Sequence, residues 1–304
     1  MITQVINKII DNDIGYSFVK SKIAIISTIV FLTILICSAF AEFVAPYNPF
    51  DPVTVSLLDA FTPPVWIDGG STNFVLGTDQ QGRDMLSTMI YGSRISLIVA
   101  FASILFAMSL GTFLGVTSGF FGGRYEIIVM RFTDVQLTIP SILMALLVDG
   151  IARGFISKSL HNDMAIYVLI FAIGISEWPQ FARVTRAATL VEKNKEYISA
   201  SRIIGLSNFL IMFKHILPNV IGPVIVISAA NFAAAILIEA GLSFLGIGAQ
   251  PPIPSWGGMI KDHYAYIIMD KAYLAIIPGV AIMSLVLAFM LLGNGLRDAF
   301  DVKD

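Results

Sequence analysis

EYISASRIIGLSNFLIMFKHILPN, residues 196–219, is a basic, amphipathic island inside a very apolar chain. Tyr197, Ala200 and Ile204 are spaced i, i+3, i+7 and share one helical face. Ser199, Ala200 and Ser201 keep the middle of that helix thin, so another surface could approach closely. Gly205 suits a C-terminal cap, because glycine takes positive φ without strain. Ser207 then N-caps a second helix, on which Phe209, Met212, Phe213 and Ile216 form an apolar stripe, and Pro218 marks the next break. Periodicity alone predicts two short helices meeting at Gly205, a surface hairpin between membrane spans.

The surrounding composition sets the class. Of 304 residues 56% are hydrophobic and 13% are charged, with a mean hydropathy of +0.82. A soluble domain carries about a quarter charged residues, so this is an all-α polytopic membrane protein. The net charge of −2 gives no argument for nucleic acid, and no such partner is expected. A single cysteine, Cys37, excludes an internal disulfide framework, and His161, His215 and His263 are too scattered for a metal site. The apolar run from Ile23 is too long for a cleaved signal and leads into Glu42 and Pro46, so it reads as a retained span.

Charge-free runs place the spans. Lys22 to Glu42 encloses 19 uncharged residues, and Arg94 to Arg124 encloses 29. Asp134 to Asp149 encloses 14 and Asp163 to Glu177 encloses 13, which are short unless extended at their ends. Pro140 and Trp178-Pro179 fit interface positions at the ends of that weak pair. Lys214 to Glu239 and Lys271 to Arg297 enclose 24 and 25. About six transmembrane helices are therefore expected, with a Gly/Pro-rich turn around Pro251, Pro252, Pro254, Trp256 and Gly257 between the last two. In the second span Gly111, Gly115 and Gly119 recur every four residues, a pattern that allows close helix approach in lipid. Packing within the subunit is preferred over a dimer contact. With both termini inside, 13 of the 19 Lys and Arg residues fall on the cytoplasmic side, so the 196–218 hairpin is expected there too.

The hairpin resembles the cytoplasmic coupling loop of inner-membrane permeases of binding-protein-dependent ABC importers. That family writes Glu-Ala-Ala, three residues, Gly, nine residues, then Ile-x-Leu-Pro; here Gly205 is followed by nine residues, then His215, Ile216, Leu217 and Pro218. Ser199-Ala200-Ser201 stands in place of Glu-Ala-Ala, leaving Glu196 as the nearby acid. Further matches run along the chain. They are Ala45-Pro46-Tyr47-Asn48-Pro49; Leu76-Gly77-Thr78-Asp79 with Gly82-Arg83-Asp84; Glu239-Ala240 with Leu242-Ser243-Phe244-Leu245-Gly246; and Gly293, Gly295 and Leu296-Arg297-Asp298. Met290 and Asn294 depart from it. Together these are similar to the C-type permease of dipeptide, oligopeptide and nickel importers.

The resemblance implies a type I ABC importer permease fold in the inner membrane. It divides the chain into a cytoplasmic segment 1–22, a first transmembrane helix 23–44, a periplasmic cap and lead-in 45–94, and a core 95–304 that holds five further spans and the cytoplasmic coupling loop 183–218. It implies a second permease subunit, two cytoplasmic ATPases and an extracytoplasmic binding protein as partners, with lipid around them. ATPase coupling falls to Glu196, Tyr197, Ser199, Ala200, Ser201, Ile204, Gly205, Leu217 and Pro218.

Asp79, Arg83, Asp84 and Arg94 read either as a rim that meets the binding protein or as an ion-pair network that ties the cap down. Glu239, with Ser243 one turn on, is an acid at membrane depth, expected to serve the translocation path or the outer gate. No Gly-Lys dipeptide occurs, so no P-loop is present; no enzymatic chemistry and no cofactor are expected, ATP being bound by the partners. A nickel or other small-solute permease and a stand-alone secondary transporter are the alternatives. The second would need paired acids deep in the spans, and an intramembrane hydrolase would need a nucleophile–base pair.

Overall fold

The computed structural model describes residues 19–51, 55–155, 158–248 and 253–301. Helix α1, Lys22–Ala39, starts at Ser21, whose hydroxyl accepts from Ala24 N at 3.3 Å. It is apolar all round: Ile23, Ile26, Ile29 and Ile36 stay exposed while only small residues are buried, as lipid allows and water would not. Helix α2, Met85–Phe121, is capped by Asp84. Its 37 residues reach about 55 Å, well beyond an apolar core of about 30 Å, so it projects past the bilayer.

Helices α3, Gly123–Leu137, and α4, Ser141–Phe155, meet at 97°. The bend falls at Pro140, which lacks an N–H and disfavours helical geometry in the residue before it. Helix α5 is Lys158–Glu192, and α6, Glu196–Ile203, opens the hairpin. Helix α7, Asn208–Phe244, crosses back, α8, Trp256–His263, lies beyond it, and α9, Tyr273–Asp301, closes the core. Among the described residues five helices are long and apolar enough to cross a membrane, or six if the bent α3–α4 pair counts as one span. The Asp134–Asp149 run falls across that bend and forms no single straight helix.

Three local expectations change. Trp178 and Pro179 lie inside α5, not at its end, and Trp178 is 3% exposed. Pro218 does not end a helix: the π-turn Ile211–Ile216 precedes it and runs directly into Leu217–Phe244. The wider turn accommodates the ring that a regular α-turn would set against the carbonyl four residues earlier. Phe209 leaves the apolar stripe, being exposed where Met212 and Ile216 are buried. The hairpin is therefore one short helix turned onto the start of a long one.

The core forms around α2 and α5, which run parallel. Gly111 faces Phe181, Gly115 faces Ala182 and Thr185, and Gly119 faces Thr189. The small-residue ladder is packing within the subunit, because a Cβ at Gly115 would lie 2.7 Å from both the Ala182 carbonyl and Thr185 Cβ. On the other side, Phe31, Phe101, Phe232 and Phe289 join α1, α2, α7 and α9, with Phe232 and Phe289 stacked at 3.8 Å. Gly115→Leu is expected to cost more than the usual 1–3 kcal/mol of overpacking, about 3 kcal/mol or above, because one obstacle is backbone. Thermal melting of the purified subunit checks it: a clear loss for Leu and a smaller one for Ala.

Candidate functional site

The 196–218 hairpin is built on local capping. The Gly205 N–H donates to Arg202 O at 3.0 Å and the Leu206 N–H to Ser201 O at 3.1 Å, a Schellman closure with Gly205 at φ +83°. Ser207 Oγ accepts from Leu210 N at 3.3 Å and starts α7. Beneath, Ile198, Ile211, Met212, Ile216 and Val220 pack on Val116 and Phe120 at the inner end of α2. Arg202 lies over the Phe120 ring at 5.4 Å.

Tyr197 ties three helix ends together. Its hydroxyl donates to Glu192 at the end of α5 and accepts from Asn219 Nδ2 at 3.0 Å. Asn219 Nδ2 also donates to the His215 carbonyl at 2.7 Å in the π-turn. Burial, then the Glu192 carboxylate, push the Tyr197 phenol up to about 12. Of the expected coupling residues, Glu196, Ser199, Ala200, Ile204, Gly205 and Pro218 are exposed, Leu217 is half-buried and Ser201 is buried, donating to Tyr197 O at 2.8 Å. Tyr197 keeps an exposed ring edge while its hydroxyl is used inside. Two further residues join the face beside Ile204 at 77% exposed: Ile203, 87% exposed, which is not singled out in the sequence, and Phe209, 67% exposed, whose spacing there places it on the apolar stripe. Three large apolar side chains in water at one tip form a surface made for contact.

At the opposite end, the acids of the 79–84 turn are met by neighbouring groups. Asp79 is fully buried and accepts from the N–H groups of Gln81 and Arg83 at 2.8 and 3.0 Å and from Arg83 Nε at 2.6 Å. Asp84 accepts from Ser87 N and Oγ at 2.8 and 2.6 Å, and Ser87 Oγ accepts from Tyr47 N at 3.0 Å. Arg94 donates to the Ser38 and Ala39 carbonyls at 3.2 Å each and pairs with Glu42 at 3.4 Å, so it holds the end of α1. Only Arg83 and Arg94 of the four present side-chain surface, and that only in part. His263 is buried behind this turn; burial pushes its imidazole down, against the pull of Asp79 and Asp262.

Glu239 has no exposed surface. Ser243 Oγ, one turn on, donates to Oε1 at 2.8 Å, and the hydroxyls of Ser96 on α2 and Ser255 before α8 flank the same carboxyl. Trp256 Nε1 donates to Met89 O at 2.9 Å, and Gly257 lies against Ala240, so α2, α7 and α8 converge here. A second buried acid is missed by charge-run reading, which marks Glu177 only as a boundary. It lies inside α5, 1% exposed, and accepts from Gln180 Nε2 at 3.0 Å. Among the described residues no group of three or more His, Cys, Asp or Glu is placed to hold a metal. Pro251 and Pro252 of the Gly/Pro-rich turn lie outside the described residues.

Residues 111–303 match the family of binding-protein-dependent transport system inner membrane components. Residues 12–64 match the N-terminal transmembrane domain of oligopeptide transport permease C. The di/tripeptide transport system permease protein DppC of Pseudomonas aeruginosa is 40% identical over 94% of this chain and 90% of its own. The dipeptide transport system permease protein DppC of Haemophilus influenzae is 39% identical over 95% and 93%. The glutathione transport system permease protein GsiD of Pectobacterium atrosepticum is 35% identical over 94% and 89%. Among solved structures, an inward-facing form of the MetNI methionine ABC transporter shares the fold. Its TM-score is 0.56 at 19% identity, over 72% of this chain and 97% of that one.

Proposed function

Because the chain belongs to the family of binding-protein-dependent transport system inner membrane components, we infer that it is the multi-pass permease subunit of an ABC importer for peptides in the inner membrane. The observation that carries this is likeness along nearly the whole chain to dipeptide permeases, on a fold whose hairpin leaves Ile203, Ile204 and Phe209 exposed.

In this reading a related second permease supplies the other wall of the path, two ATPases dock on the 183–218 segment from the cytoplasm, and a binding protein delivers substrate at the outer face. The subunit carries no catalytic group and no cofactor of its own. Ile203, Ile204 and Phe209, with Ala200 and Ser199, enter the ATPase surface, while Tyr197, Asn219 and Glu192 pass its motion to α5 and α7. Closure of the ATPases turns the hairpin as a rigid piece, and the spans attached to it switch the path between inward and outward access. At the outer end Glu239 and Ser243 hold α2, α7 and α8 as one gate element. Of the four charged residues Asp79, Arg83, Asp84 and Arg94, Arg83 and Arg94 are left to meet a binding protein.

Substrate class is tested in a strain deprived of its own dipeptide uptake and supplied with the complete operon. Dipeptide growth should return and should fail when this subunit is omitted. Restoration of nickel uptake alone would reassign the substrate and keep the permease.

A further inference from the structure

Pro179 lies inside α5, within the stretch that is long and apolar enough to cross a membrane. Having no N–H, it leaves the carbonyl four residues earlier, Ile175 O, without its helical donor. In an apolar surround such a carbonyl must be met by another group. The donor comes from a different span: Gln136 Nε2, on α3, donates to Ile175 O. The same amide is held from the other side, since Trp178 Nε1 donates to Gln136 Oε1 at 3.1 Å. An indole N–H only donates, so the Gln136 oxygen must face Trp178 and its nitrogen must face Ile175. The Trp178 ring stacks on Phe132 at 6.0 Å, one turn before Gln136.

The position of this pin is mechanical. Gln136 is the next-to-last residue of α3, directly before the 97° bend into α4. Going inward, Arg183 pairs with Asp134 at 2.7 Å and Arg186 Nε donates to Glu126 Oε1 at 2.6 Å, so α3 is fastened to α5 along its length. Helix α5 then ends at Glu192, which accepts from Tyr197 in the hairpin. Helix α5 thus carries polar contacts at intervals, from Tyr197 in the ATPase-facing hairpin to Gln136 at the α3–α4 bend.

We propose that Gln136 is a positioning residue for coupling: by capping the carbonyl freed by Pro179, it locks the α3–α4 bend to α5, so that hairpin motion moves both as one body. The proposal rests on the permease reading.

The test uses the complete importer in liposomes and measures peptide uptake per ATP hydrolysed in fully assembled complexes. Gln136→Leu removes both bonds and is expected to lower that ratio about tenfold, the scale of one buried hydrogen bond left unmade. Pro179→Ala returns an N–H to Ile175 O. The double variant Q136L/P179A meets Ile175 O again but leaves Trp178 Nε1 without its acceptor, so it should recover part of the ratio, while Pro179→Ala alone stays within about twofold of the parent. If Gln136→Leu fails to assemble, restoration of assembly by Pro179→Ala supports the pin. A double variant as defective as Gln136→Leu, or a Gln136→Leu importer that couples normally, overturns it. Failure of the parent importer to move any peptide would instead count against the permease reading.

Discussion

Asp at positions 200, 203 and 204 together is expected to abolish capture of the ATPase subunits while the permease still inserts and folds. All three side chains point into solvent from α6 and its cap, and Ile203 and Ile204 are among the most exposed large apolar residues outside the spans. Buried at an interface they contribute about 1.5–3 kcal/mol each, and three carboxylates there would add desolvation costs in place of that gain. Tyr197 is left intact in this variant because its hydroxyl joins Glu192 and Asn219, and its loss would disturb the hairpin itself. Affinity pull-down of the ATPases from detergent-solubilised membranes checks the outcome, with the melting temperature of the subunit as a control. Undiminished capture would place the docking surface elsewhere.

Glu239→Lys should prevent stable accumulation of the subunit, whereas Glu239→Gln should leave it folded. The carboxyl has no exposed surface and is ringed by Ser243, Ser96 and Ser255, so a lysine there would be a buried cation set among neutral hydroxyls. An uncompensated buried charge costs about 3–5 kcal/mol, comparable to much of a protein's net stability. Glutamine keeps a carbonyl oxygen for Ser243 and costs about 1 kcal/mol. Thermal melting and membrane yield of the two variants separate them. Normal yield with lysine would mean that water reaches position 239.

What the sequence made legible follows from how local the physics is. Gly205 and Ser207 were readable as caps because a positive φ and an N-cap hydroxyl depend on a few neighbouring residues, and both occur as expected. Long charge-free runs located α1, α2, α7 and α9 for the same reason. The weak pair was harder. Pro140 and Pro179 look alike in sequence, yet one sits at a 97° bend between two helices and the other stays inside a continuous helix. The difference is tertiary: Gln136 supplies the donor that Pro179 lacks, from 43 positions away. Pro218 misleads in the same manner, because a π-turn absorbs its ring. Phe209 kept the spacing of a buried stripe but not its burial, since the π-turn rotates the residues after it relative to those before it.

The site residues divide along that line too. The 79–84 turn could be recognised as charged but not as closed upon itself, because Asp79 meets backbone N–H groups that no side-chain pattern reveals. Glu239 could be marked as costly at membrane depth, whereas Ser96, more than 140 positions earlier, becomes its neighbour only through the antiparallel packing of α2 and α7. Glu177 passed unnoticed since its run ended there by definition.

The central claim is that this subunit is half of an ATP-driven path and moves nothing alone. Peptide uptake into liposomes measures it directly, comparing the purified subunit with the full set of two permeases, two ATPases and binding protein. Uptake should occur only with the full set and internal access to ATP, and should vanish with the 200/203/204 triple Asp variant. Peptide accumulation by the single subunit under an ion gradient, without ATP, would contradict the account and make it a secondary transporter.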